Sequence, residues 1–122
     1  MRFIMMVKGT ARSEAGTLPK DEEMAAMGAY NEDMQKAGVM VDAAGLQPTS
    51  AGAKVVYRGG KPTLVKGPFD SPDIVSGFWL IEAPSAEAAY EWAMKAPNPA
   101  FSDTEGEIEV RPFYEFGNPQ RS

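Results

Sequence analysis

Val75-Ser76-Gly77-Phe78-Trp79-Leu80-Ile81-Glu82-Ala83 decides how this chain folds. Its centre, Phe78 to Ile81, is apolar at successive positions and too short for a buried helix, so it reads as a strand buried on both faces, at the middle of a sheet. The run from Phe3 to Val7, bounded by Gly9, reads the same way. Side chains alternate across a strand, so Phe3, Met5 and Val7 point one way and Ile4 and Met6 the other. Phe78 and Leu80 oppose Trp79 and Ile81 in the same fashion. A sheet containing both strands therefore carries two apolar faces.

Outward from these strands, the remaining elements follow from periodicity and punctuation. After a polar loop, Leu18-Pro19-Lys20-Asp21-Glu22-Glu23 places a proline in a first helical turn and three carboxylates where the helix dipole favours them. Met24, Met27, Tyr30, Met34 and Ala37 recur at helical spacing as a core stripe, and Gly38 supplies the stop. Val39 to Val41 resumes strand character up to the loop Gly45-Leu46-Gln47-Pro48. Ala53 to Tyr57 and Pro62 to Lys66, joined through Gly59-Gly60, predict a peripheral hairpin. Ser85 is an N-cap, and Ala89, Trp92, Ala93 and Ala96 form the apolar face of a second helix ended by Pro97 and Pro99. Glu107-Ile108-Glu109-Val110-Arg111 alternates as a half-exposed strand.

The order β, α, β, hairpin, β, α, β predicts an α+β ferredoxin-like sandwich: an antiparallel sheet with two helices on one face and an inserted β-hairpin. Two helices cover only one face. Burying each large apolar side chain on the other stabilises by roughly 1.5–3 kcal/mol, and leaving them open invites aggregation. A second copy related by a two-fold axis is the simplest cover, which predicts a homodimer of the dimeric α/β-barrel type. One domain, residues 1–116, with a loose tail at 117–122, fits the length of 122 residues.

Composition narrows the function. There is no cysteine and no histidine, which removes disulfides, thiolate nucleophiles, the usual general base near neutral pH and the common ligands of zinc, copper and iron. A net charge of −5 without a basic stripe argues against nucleic acid as a partner. No stretch suits a signal peptide or a membrane span, so the expected location is the cytoplasm, away from the membrane. Gly59-Gly60 lacks the Lys-Ser/Thr of a phosphate loop, and no dinucleotide fingerprint occurs. Asp42, Asp70 and Asp73 lack calcium-loop spacing. No cofactor and no metal are expected.

At Gly67-Pro68-Phe69, followed by Asp70, the chain resembles the DGPF motif that names a group of YCII-related bacterial proteins. Gly45-Leu46-Gln47-Pro48, Gly77 to Ala83, Glu91-Trp92-Ala93 and Glu107 to Pro112 match in the family's order. The resemblance implies a dimeric ferredoxin-like fold and, because relatives are often linked to sigma factors of the extracytoplasmic-function group, a sigma factor as partner. Two departures stand out. The motif's leading aspartate is Lys66, and Asp70-Ser71-Pro72-Asp73 replaces the family's Glu-Thr-Lys-Glu. Smaller YCII proteins also look as if they carry a His–Asp pair on and just after the first helix, where Met27 and Lys36 fall here. That dyad does not transfer.

The residues left to carry chemistry each have a plainer reading beside the functional one. The acids at 21–23 suit a helix N-terminus as well as catalysis, and Glu107 with Glu109 suits a solvated strand face as well as an acid–base pair. Arg111, beside Phe113 and Tyr114, suits a carboxylate or phosphate ligand, or an ion pair to Glu109. Tyr30, Phe69 and Trp79 suit an apolar pocket between subunits, or packing. The candidate binding residues are thus Tyr30, Phe69, Asp70, Trp79, Arg111 and Tyr114. Two functions remain open: a non-enzymatic or weakly catalytic homodimer binding a small molecule or partner protein in a regulatory role; and a cofactor-free enzyme using Tyr30 or a carboxylate in an intersubunit pocket.

Overall fold

The computed structural model describes residues 1–69, 74–100 and 105–115. Its elements are β1 (Arg2–Lys8), α1 (Ala11–Glu14), α2 (Asp21–Lys36), β2 (Met40–Gly45), a 3-10 turn (Thr49–Ala51), β3 (Ala53–Arg58), β4 (Lys61–Lys66), β5 (Val75–Glu82), α3 (Ala86–Lys95) and β6 (Ile108–Pro112). The main sheet runs β2-β5-β1-β6, with every neighbouring pair antiparallel. That order, with a helix after β1 and another after β5, is consistent with the ferredoxin-like sandwich expected from the sequence. β5 is central, as its double-sided apolar run requires. β3 and β4 form a separate two-stranded sheet.

Register fixes the two faces. Phe3 pairs with Ile81 and Met5 with Trp79, and all four are buried against Tyr30 and Met34 of α2 and Ala89 of α3. Ile108 and Val110 of β6 and Ala43 of β2 extend this core. Ile4 pairs with Leu80 and Met6 with Phe78 on the opposite face, where they stay only partly buried. β2 and β6 continue the rows: Asp42, Leu80, Ile4 and Arg111 stand side by side, then Ala44, Phe78, Met6 and Glu109. The face helices do not cover thus has an apolar centre and a charged rim. Arg2 meets Glu82 at 3.1 Å and Lys8 meets Glu109 at 3.0 Å along that rim.

The helices follow local rules with two departures. α2 begins with Asp21, Glu22 and Glu23 in its first turn, and Pro19 lies just outside it, before the N-cap Lys20. It ends in a Schellman motif: Gly38 N–H donates to the Gln35 carbonyl and Val39 N–H to that of Met34. Gly38 sits at φ +72°, where a Cβ is disfavoured. Ser85 caps α3 by accepting from Ala88 N–H at 3.1 Å. Of the stripe predicted on α2, Tyr30 and Met34 are buried and Met27 packs against the core, but Met24 and Ala37 are exposed. The second departure is α1, a single turn inside the expected polar loop. Thr10 and Ser13 cap it reciprocally, each side chain accepting from the other's backbone N–H.

Candidate functional site

A cleft of about 680 Å3 opens where β1 and β2 end and β5 begins. Val7, Ala43, Gly45, Gly77 and Trp79 line its sheet side, Met27 and Asn31 of α2 one wall, and Pro99 with Ala100 another. The segment from Thr10 to Pro19, including α1, and the loop from Leu46 to Pro48 complete its border. The volume is in the range of small-molecule sites, and the lining is mostly apolar, as such sites are. A smaller hollow of about 310 Å3 between Pro19, Glu23, Met24, Met27, Gly28 and Asn31 adjoins it. Met24, exposed where the stripe predicted burial, borders this hollow.

Hydrogen bonds set the cleft's shape. Trp79 Nε1 donates to Asn31 Oδ1 at 2.8 Å, which holds the indole against α2 and leaves the Asn31 amide nitrogen as a donor. Arg12 binds Glu23 through two nitrogens, at 2.8 and 3.3 Å. That guanidinium, with the Lys20 N–H at 2.7 Å, holds the Glu23 carboxyl below the usual carboxylate range. Arg12 is the only ionisable side chain among the described lining residues, and its charge is met by Glu23. Thr17 and Gln47 also border the cleft and make no side-chain hydrogen bond among the described residues.

Beside the cleft, α1 and the base of the hairpin are locked together. The Thr49 N–H and hydroxyl donate to the Glu14 carboxylate at 2.9 and 2.5 Å, and Phe69 N–H donates to Thr49 Oγ1 at 2.9 Å. Gly67 N–H donates to the Gly52 carbonyl, closing the hairpin. The Gly67–Pro68 peptide is cis. A Cβ on Gly67 would overlap the Thr49 carbonyl oxygen, so this backbone approach requires glycine.

The structure brings only part of the predicted site together. Tyr30 and Trp79 meet edge to face, 5.3 Å between ring centroids. Trp79 reaches the cleft, whereas the Tyr30 hydroxyl turns away and donates to the Trp92 carbonyl at 2.6 Å. Burial pushes the Tyr30 hydroxyl up to about 12. Phe69 sits at the foot of the hairpin with the Lys54 ammonium 4.6 Å from its ring centroid. Asp70 lies outside the described residues, as does Asp73. Arg111 stands across the sheet from Trp79, on the face away from the helices, 3.9 Å from Glu109. Tyr114 follows β6 and is exposed. Glu109 bonds mainly to Lys8, which holds its carboxyl below the usual range.

Residue reading missed Met27, Asn31, Thr17 and Gln47 as cleft residues. Asn31 carried a usable signal, since it stands one turn after Met27 on α2 and breaks an apolar stripe. Among the described residues no group of three acidic side chains could hold a metal ion, and no helix is long and apolar enough to cross a membrane.

No curated protein matches this chain. The family model of the YCII-related domain matches residues 1–117, nearly the whole chain, and places the motif, the strands and the cleft within one family unit. The chain belongs to the YCII-related family.

Proposed function

We propose that this is a cytoplasmic, homodimeric binding protein of the DGPF kind, holding a small, neutral, largely apolar molecule in the cleft beside Trp79 and using its occupancy in a regulatory role. The observation that carries the reading is the lining itself. It offers apolar surface from Val7, Met27, Leu46 and Trp79, a few amide and hydroxyl groups to orient a ligand, and one cation already neutralised by Glu23. Met27, near the place where smaller relatives look to carry a histidine, lies in the cleft wall and brings no proton-transfer group there. The competing reading as a cofactor-free enzyme loses its tyrosine: a hydroxyl near 12 that faces Trp92 transfers no proton in the cleft.

Native mass spectrometry of protein purified from its own host tests the binding. The expected result is a non-covalent adduct of a few hundred daltons, with titration of an apolar fluorophore shifting Trp emission. An adduct that is instead a sigma factor names the partner as protein. A bare chain whose Trp emission ignores apolar probes refutes the cleft reading.

Dimerisation is supported by the apolar centre of Ile4, Met6, Phe78 and Leu80 ringed by charge, the anatomy of a protein interface. Sedimentation at micromolar concentration should give a dimer for the natural chain and a folded monomer for Leu80→Asp. A natural chain that sediments as a monomer overturns the assembly.

A further inference from the structure

We propose that the cleft selects a flat, uncharged carbonyl compound, whose oxygen accepts from the Asn31 amide while its ring system lies on bare backbone at Gly45 and Gly77. This rests on the cleft being a small-molecule site and names the chemistry that it prefers. Trp79 sets the polar half of the selection. An indole N–H only donates, so the atom it meets at 2.8 Å on Asn31 is the amide oxygen, and that contact fixes which way round the amide stands. What Asn31 has left to offer is its NH2 group, a donor without an acceptor among the described residues. Asn31 borders both the cleft and the smaller hollow beside it. Thr17 and Gln47 can turn to donate or to accept, but Asn31 is held as a donor by a buried side chain. Arg12 is paired with Glu23, so an anion finds no spare charge in the lining. A carbonyl conjugated to a ring is a neutral acceptor that stays in the plane of the ring, and one molecule then meets both requirements.

The flat half comes from two glycines. Gly45 pairs with Gly77 across β2 and β5, and Val7 of β1 continues the row. The next row on the same face holds Ala43, Trp79 and Met5. Two residues without side chains therefore lie beside the indole, on the cleft's sheet side. The two are glycine for different reasons. A Cβ on Gly77 would come within 2.9 Å of the Ala44 carbonyl oxygen, so the close packing of β2 on β5 accounts for it. A Cβ on Gly45 would meet nothing within 4 Å, and its φ lies outside the left-handed region. Neither crowding nor backbone conformation calls for glycine there. Glycine weakens a strand, and where packing does not demand it, it leaves room for another group to approach the backbone closely. With Gly77 it makes a smooth floor that ends at Trp79.

Three uncharged probes separate the parts. Acetylnaphthalene is flat and carries a carbonyl, isopropenylnaphthalene is as flat with a CH2 in place of that oxygen, and acetyldecalin keeps the carbonyl on puckered rings. Each is titrated into the isotope-labelled full chain, and NMR follows the Trp79 indole N–H and the Asn31 side-chain NH2. The expected result is that acetylnaphthalene binds about tenfold tighter than either of the others, and that only the ketones move the Asn31 signal downfield. Asn31→Asp still accepts the indole N–H but donates nothing, and it should erase the preference for acetylnaphthalene over isopropenylnaphthalene. Gly45→Val fits the open space above residue 45 and should weaken both naphthalenes about tenfold, acetyldecalin much less. Equal affinity for the two naphthalenes overturns the carbonyl assignment while the cleft stands as a site. Equal affinity for acetylnaphthalene and acetyldecalin, or binding indifferent to Gly45→Val, overturns the flat floor. A Trp79 indole signal that ignores all three probes refutes the cleft reading itself, and this inference with it.

Discussion

Gly67→Ala is expected to lower stability by about 3 kcal/mol, a fall in Tm of roughly 10 °C for a chain of this size. The added methyl meets the Thr49 carbonyl oxygen, a backbone atom, so no side-chain rotation relieves the overlap. Relief requires moving the turn at Thr49, and that turn is held from two other directions. The Glu14 carboxylate accepts both Thr49 donors, and Thr49 Oγ1 accepts the Phe69 N–H. Shifting the turn therefore loosens α1 and the foot of the hairpin together. Thermal unfolding followed by circular dichroism measures the effect. A Tm within 2 °C of the natural chain would show that the close approach at Gly67 is not tight.

This lock also explains why the Gly-Pro-Phe motif is recognisable without its role being readable. The motif's glycine and phenylalanine work through contacts with Thr49, about twenty residues earlier, and with Glu14 beyond that. Neither partner lies in a periodic segment. Phe69, a candidate for a ligand pocket from composition, contributes its backbone N–H to the lock and its ring to Lys54. Lys66, which replaces the motif's usual aspartate, pairs with Ala53 at the open end of the hairpin. There it adds to the hairpin's positive charge.

The main sheet was legible because alternation is a strong local signal. Two apolar runs with side chains to both sides, Phe3 to Val7 and Phe78 to Ile81, had to be neighbours in the middle, and they pair residue for residue. α1 was not legible, since one turn is too short to show a period and its cap pairs Thr10 with Ser13 rather than with a longer acid or amide. Met24 was misread for a related reason. Spacing marks a stripe along α2, but only Met27, Tyr30 and Met34 of that stripe meet the core.

Much less of the cleft could be read. Trp79 was identifiable because a tryptophan on a central strand needs a partner for its indole N–H, and Asn31 provides one. Arg111, on a half-exposed strand, carries the matching signal of a cation beside aromatic residues. Parity decides otherwise: Arg111 pairs with Ile4 and Trp79 with Met5, so the two lie on opposite faces of the sheet. Thr17 and Gln47 come from loops whose approach depends on the tertiary path and leaves no local pattern.

Tyr30→Phe is expected to show how firmly its hydroxyl serves structure. Trp92 is in the last turn of α3, where carbonyls lack helical partners, and the Tyr30 hydroxyl supplies one. At pH 7 its removal should cost about 1–2 kcal/mol, the value of a buried hydrogen bond lost with one partner left behind. The pH dependence is more telling. Burial raises the folded-state value from 10.0 to about 12, so the folded protein favours the neutral hydroxyl. Below pH 10 both states are protonated and the contribution is complete. As pH rises from 10 through 12 the unfolded chain loses its proton first, and stability falls by about 1.4 kcal/mol per unit, roughly 2–3 kcal/mol in all. The phenylalanine variant has no such proton to lose. Urea midpoints at pH 7, 9, 10, 11 and 11.5 should therefore show the natural chain ahead at neutral pH, the gap closing above pH 10, and the variant level with it or ahead at the alkaline end. Other tyrosines and lysines titrate in both proteins and cancel in the difference. A gap that stays constant across the series would mean that the hydroxyl reaches solvent, and Tyr30 would then return as a candidate for proton transfer.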